Sequence, residues 1–119
     1  MELLPQSILD QLAANGLANQ VRIEAGEDTI DFKPVVKLFT PDGGATWLLS
    51  ETDTQDADIA FGLCDLGLGY PELGSVRLSV LKAHRGRLGL PIERDLHFEA
   101  DAPLGTYADR AREAGGIVT

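Results

Sequence analysis

Cys64 and His97 are the residues that could form a cysteine–histidine nucleophilic pair, since the chain has one cysteine and its other histidine, His84, sits among bases. A single cysteine within a strand-like run reads first as a small buried hydrophobe, and no third group is identifiable to orient the imidazole. No catalytic residue is assigned on this basis. A second arrangement uses carboxylates: Asp65, Glu72, Asp95 and His97, if gathered in one cleft, would suit general acid–base work or a metal-dependent hydrolase. That set lacks a second histidine, and neither a metal nor a cofactor is expected. The glycine-rich stretch from Asp65 to Gly74 invites comparison with phosphate cradles, but its spacing is Gly67-x-Gly69-x-x-x-x-Gly74 with no Gly-Lys-Ser or Gly-Lys-Thr after it. With Asp65 and Glu72 in place of bases, Gly67, Gly69, Tyr70, Pro71 and Gly74 read as a structural loop whose glycines permit positive φ.

The densest charge is the run Glu51-Thr-Asp53-Thr-Gln-Asp56-Ala-Asp58. Counting from Asp53 or Asp56 puts no Gly at the sixth position and no Glu at the twelfth, so a calcium loop is a poor fit. The bland reading is a solvated loop; the sharper one is an acidic face formed with Asp42 that meets a basic protein. Lys82, His84, Arg85 and Arg87 make a small basic surface suited to an acidic partner or to a dimer face. Trp47 reads as core packing, and Tyr70 as either a packed lid or an exposed anchor.

These residues need elements to position them. The spacing over 5–15 predicts an N-terminal helix stopped by Gly16, while 17–33 mixes polar and isolated apolar residues and is left open as loop or edge strand. Val35–Thr40 and Ala45–Ser50 flank Pro41-Asp42-Gly43-Gly44 and predict a β-hairpin. Ile59–Leu66 reads as a strand with Ile59, Phe61 and Leu63 on one face. Its other face, Ala60, Gly62 and Cys64, is small enough for a closely packed helix. Val76, Leu78 and Val80 alternate as in a strand, and Ser79 could cap a short helix Val80–Arg85 ending at Gly86. Arg94–Glu99 reads as a last strand and 106–114 as a final helix stopped by Gly115-Gly116. Without a regular strand–helix–strand rhythm, the expected class is α+β: a single domain over 1–119 with a mainly antiparallel sheet of 4–5 strands and two or three short helices.

Composition bounds the function. The chain has 119 residues, one domain's worth, with 44% hydrophobic and 24% charged residues. The net charge of −9 opposes direct binding to nucleic acid. Acidity is uneven: residues 1–60 hold 11 acids and 3 bases, and residues 61–119 hold 8 acids and 7 bases. No apolar run approaches the roughly 18 residues of a membrane span. An acid near the start and a lone cysteine point to a reducing, cytoplasmic setting.

Phe39-Thr-Pro-Asp-Gly43, Thr46-Trp47, Phe61-Gly-Leu63, Asp65-Leu-Gly67-x-Gly69-x-Pro71-Glu-Leu-Gly74, Arg85-Gly86 and Gly89-Leu-Pro91-x-Glu93-Arg-Asp95-Leu96-x-Phe98 together resemble a family of bacterial proteins of unknown function, typically encoded on plasmids, phages and integrative elements. The resemblance spans about 34–99 and supplies no catalytic residues; the N-terminal segment and the acidic run lie outside its motif strings. It implies a bacterial cytoplasm and an accessory role in a mobile element. Joined to the charge, it yields a leading expectation. The chain is read as a non-catalytic protein-binding accessory, an anti-restriction or anti-CRISPR inhibitor whose Asp42, Glu51, Asp53, Asp56 and Asp58 imitate phosphates before a basic, nucleic-acid-binding defence effector. The alternatives are the small hydrolase above and a regulatory or assembly subunit that forms a homodimer.

Overall fold

Helix α1 (Gln6–Glu24) runs straight through Gly16, past the stop the sequence suggested. The glycine serves packing instead. A Cβ there would run into the carbonyl oxygen of Thr52, so its absence lets the helix lie against a strand backbone. Flanking amides complete the contact: Asn15 Nδ2 donates to Ser50 O at 2.9 Å and Asn19 Nδ2 to Glu51 Oε1 at 2.9 Å. The buried face of this half-helix is therefore Asn15, Gly16 and Asn19, while Leu17, Val21 and Ile23 are exposed. That inversion hides the helix from apolar periodicity. The actual stop is Gly26, at φ 73°, where the backbone N–H of Glu27 reaches back to Arg22 O at 2.8 Å. Beyond it residues 27–35 join no helix or strand until the first strand begins at Val36.

The computed structural model describes residues 2–119. It is one α+β domain built on a five-stranded antiparallel sheet of order β4-β3-β2-β1-β5, with β1 (Val36–Phe39), β2 (Thr46–Thr52), β3 (Ile59–Asp65), β4 (Glu72–Arg77) and β5 (Glu93–Arg94). The hairpin forms as its turn residues predict, with Thr40 Oγ1 accepting Ala45 N–H at 2.9 Å. A bulge at Ser50 shifts the β2–β3 register between Leu49 and Glu51. Here Gly62 is needed because a Cβ would strike the β2 backbone at Leu48.

Alternation along β2 divides the core. Trp47 and Leu49 join Leu12, Leu38 and Ala60 beneath α1 and the short helix α2 (Leu78–Ala83), whose Leu78 and Leu81 close that layer; Cys64 packs against it. The small-residue face of β3 lies in the layer under α1 and α2, but its Gly62 is fitted to the β2 backbone. Leu48 and Leu63 point the other way, onto Leu104, Tyr107, Ala108 and Ala111 of α3 (Leu104–Ala114), the helix packed on β3 itself. Gly115, at φ 78°, ends α3.

Three details depart from the sequence reading. Helix α2 begins two residues before the expected Val80, so Ser79 lies in its first turn, and the cap comes from a distant residue described below. The last strand is two residues long, because after Arg94 the chain turns: Asp95 Oδ1 accepts His97 N–H at 2.9 Å, which ends the ladder before His97 and Glu99. Gly74 belongs to β4, paired with Gly62, and only Gly67 and Gly69 of the loop adopt positive φ. No helix among the described residues is long and apolar enough to cross a membrane.

Candidate partner-binding surface

Because β1, β2, β3 and β4 are joined as successive antiparallel strands, the 40–45 turn and the 66–71 loop share one end of the sheet, and the 53–58 loop occupies the other. The acidic run lies at this second end, where each of its carboxylates accepts at least one hydrogen bond from the chain. Glu51 accepts the Asn19 amide; Asp53 Oδ1 accepts Gln55 N–H at 2.7 Å and Asp56 N–H at 3.2 Å; Asp56 Oδ1 accepts Asp58 N–H at 3.0 Å. Asp58 supplies the missing helix cap: its Oδ1 accepts Ser79 N–H at 2.8 Å, its Oδ2 accepts the Ser79 hydroxyl at 2.6 Å, and its carbonyl accepts Leu78 N–H at 2.7 Å. Arg77 stands between Asp56 and Asp58, at 3.1 and 3.6 Å. Ser79 and Arg77 hold the Asp58 carboxyl below the ordinary aspartate range, whereas partial burial pushes Glu51 up against the smaller effect of Asn19.

Asp42 is at the opposite end and does not join that group. Its Oδ2 accepts Leu88 N–H at 2.8 Å and, less closely, Leu90 N–H at 3.4 Å. Its Oδ1 is buried against Gly86 without a donor. The five residues expected to form one acidic face are thus divided between the two ends, with the four of the run bonded internally.

The four residues of the alternative cleft are not gathered either. Asp65 is buried and structural, its Oδ1 accepting Gly67 N–H at 2.8 Å and its Oδ2 accepting Ile117 N–H at 2.9 Å. That pins the glycine loop and the chain after α3 to the end of β3. Glu72 lies on the exposed edge strand beside Tyr70 and Arg112. Only Asp95 and His97 share a groove, alongside α3 with Glu99, Asp101 and Arg110. Asp95 is held below its ordinary range by the His97 N–H and by Lys37. Cys64 belongs to the other core layer, opposite Trp47, and burial raises its thiol, so the cysteine–histidine pair is not assembled. Among the described residues no group of three His, Cys, Asp or Glu side chains could hold a metal ion.

The loop end shows the opposite pattern. Among the described residues, six of the thirteen exposed large apolar side chains are there: Leu66, Leu68, Tyr70, Val80, Leu88 and Leu90. Tyr70, at 79% exposure, is exposed rather than packed as a lid. The loops abut: a Cβ on Gly67 would sit 2.9 Å from Gly44 O, and Asp42 ties the 86–90 turn to the hairpin. Helix α2 starts at the acidic end beside Asp58 and climbs the sheet, delivering His84, Arg85 and Arg87 beside Thr40, Gly43 and Trp47. Lys82, Arg85 and Arg87 form no ion pair among the described residues. Arg85 Nη1 donates instead to the carbonyls of Lys82 and His84, at 3.1 and 2.8 Å. The signal in sequence was the absence of acids from Lys82 to Leu90, together with leucines in a glycine loop where solubility would favour polar residues.

No curated protein and no solved structure matches the chain. The model of a family described as a protein of unknown function, DUF2958, matches residues 3–118 and therefore takes in the N-terminal helix and the acidic run as well as the motif-rich middle. By that match over almost the whole chain, the protein belongs to the DUF2958 family.

Proposed function

We propose that this chain is a non-catalytic protein-binding module that docks a partner through the loop end of its sheet. The observation that supports this is the exposure of Leu66, Leu68, Tyr70, Val80, Leu88 and Leu90 at the loop end, with Leu66 and Val80 lining a cleft whose Arg85 and Arg87 have no acidic partner among the described residues. Apolar anchors with a charged border are the usual makings of a protein interface. The partner we infer presents a contact surface that is acidic and apolar.

The wider setting is part of the same proposal: a bacterial cytoplasm, an accessory role in a mobile element, and antagonism of a host defence effector. Imitation of phosphates by the 51–58 run is the weaker route, because those carboxylates already accept hydrogen bonds within the fold. Contact through the loop end fits better.

The test is paired capture with a photocrosslinker placed at position 68 or at position 53. A partner crosslinked from 68, lost on Leu68→Asp and kept on Asp53→Asn, is the expected result. A partner crosslinked only from 53 and lost only on Asp53→Asn would return the function to the acidic end.

A further inference from the structure

The hairpin turn, α2 and the 86–90 turn enclose a cleft of about 500 Å³ within the loop end. Its floor is Trp47, Leu81 and Ile92, each at most 5% exposed, and its lips are Leu66 and Val80 at 61% and 62%. His84, Arg85 and Arg87 stand at the mouth. One carboxylate, Asp42, lies there too, turned into the protein and engaged with the 86–90 backbone. The volume falls in the about 300–1,000 Å³ range of ligand clefts. In a chain of net charge −9, this is an apolar hollow bordered by bases.

Two physical requirements narrow the occupant. An apolar floor rewards one large aliphatic or aromatic side chain taken out of water. Guanidinium groups at the mouth reward carboxylates close to that side chain, and Arg pairs with carboxylates through two parallel hydrogen bonds. A partner without acids would leave the charges of Arg85 and Arg87 unmatched, and an anion without an apolar group would leave the floor unfilled. We infer that the cleft takes a short acidic segment of a partner protein, with one leucine-like or phenylalanine-like side chain seated on Trp47 and flanking carboxylates on Arg85 and Arg87. This rests on the protein-binding reading above and names the partner's chemistry.

The chain contains one tryptophan, so its emission reports directly on the floor of the cleft. Four probes are titrated into the full chain: a peptide with one leucine among four glutamates, the same peptide with serine for leucine, the same with lysines for glutamates, and inorganic phosphate. The expected result is a saturable change in Trp47 emission with the first probe alone. Its affinity should fall about tenfold or more at high salt, since exposed charge pairs are screened within about 3 Å at 1 M. The Arg85→Glu/Arg87→Glu double variant should lose at least about tenfold in affinity with unchanged circular dichroism and melting. Amide shifts of Gly43, Gly44 and Gly86 serve as a second readout.

Equal response to the serine, lysine or phosphate probe overturns the inference, as does the absence of both signals at millimolar peptide. The two proposals separate cleanly. Partner capture that is lost on Leu68→Asp yet indifferent to reversal of Arg85 and Arg87 keeps the binding module and removes the acidic segment. Peptide binding in the cleft with capture indifferent to Leu68 does the reverse.

Discussion

The two ends of the sheet carry their charged side chains in opposite states. At the 53–58 end, Glu51, Asp53, Asp56 and Asp58 look in sequence like free charge, yet each accepts a hydrogen bond from its own fold, and Arg77 bridges two of them. At the 66–71 end, leucines and bases that would ordinarily be covered or paired are left open. Density of charge is a property of sequence, but availability of charge is a property of the bonds already made. The crowded acidic end is thus bonded into the fold, while the loop end leaves its leucines and bases exposed.

The largest expected effect breaks the structural half of this contrast. Gly16→Val forces side-chain atoms into the Thr52 carbonyl and should cost about 3 kcal/mol by overpacking, read as a lowered midpoint in urea. A variant as stable as the parent would mean that α1 does not approach β2 so closely. Next in size, Asp58→Ala removes the cap of α2 and one partner of Arg77; melting should fall clearly, and Asp58→Asn, which keeps an acceptor oxygen, should recover part of the loss.

A third prediction concerns acid. The folded values of Asp58, Asp95 and Asp101 lie below the ordinary range, for Asp101 through Tyr107 first and then Arg110. The unfolded state therefore takes up protons first. The stability these groups confer is complete above the ordinary aspartate range and is lost as pH falls through their folded values. Glu51, raised by burial, contributes in the opposite sense: its share is present below the ordinary glutamate range and lost as pH rises through its folded value. The net acid limb should be destabilising, and Asp58→Asn should flatten it in thermal melts across pH; an unchanged slope would contradict Asp58's place in the cap.

The smallest effect on stability sharpens the other half. Leu68→Ser and Leu88→Ser change side chains that are 73% and 78% exposed, so each should move stability by no more than about 0.5 kcal/mol. Both should nonetheless abolish partner capture. A large loss of stability would show that these leucines support the fold rather than the interface.

How much of this was legible follows from where each signal resides. The hairpin at Pro41–Gly44, the strand at Ile59–Asp65 and the stop at Gly115 are local, determined by turn chemistry, alternation and a positive φ, and they stand where the residues put them. The second half of α1 was hidden because its buried side is Asn15, Gly16 and Asn19, whose purpose is visible only against the backbone of β2. The cap of α2 was sought in Ser79 and came from Asp58, 21 residues away.

The amino-acid sequence by itself determined the α+β class, the first hairpin and the strand after it, the family and the basic character of Lys82–Arg87. Only the tertiary structure decided that Asp65 and Glu72 stand apart from Asp95 and His97, that Glu51 and Asp58 are tied to α1 and α2, and that Trp47 floors a cleft bordered by arginines. The physical reason is that a hydrogen bond or a cleft joins residues remote along the chain, and no pattern of neighbours encodes which remote donor will meet which acceptor.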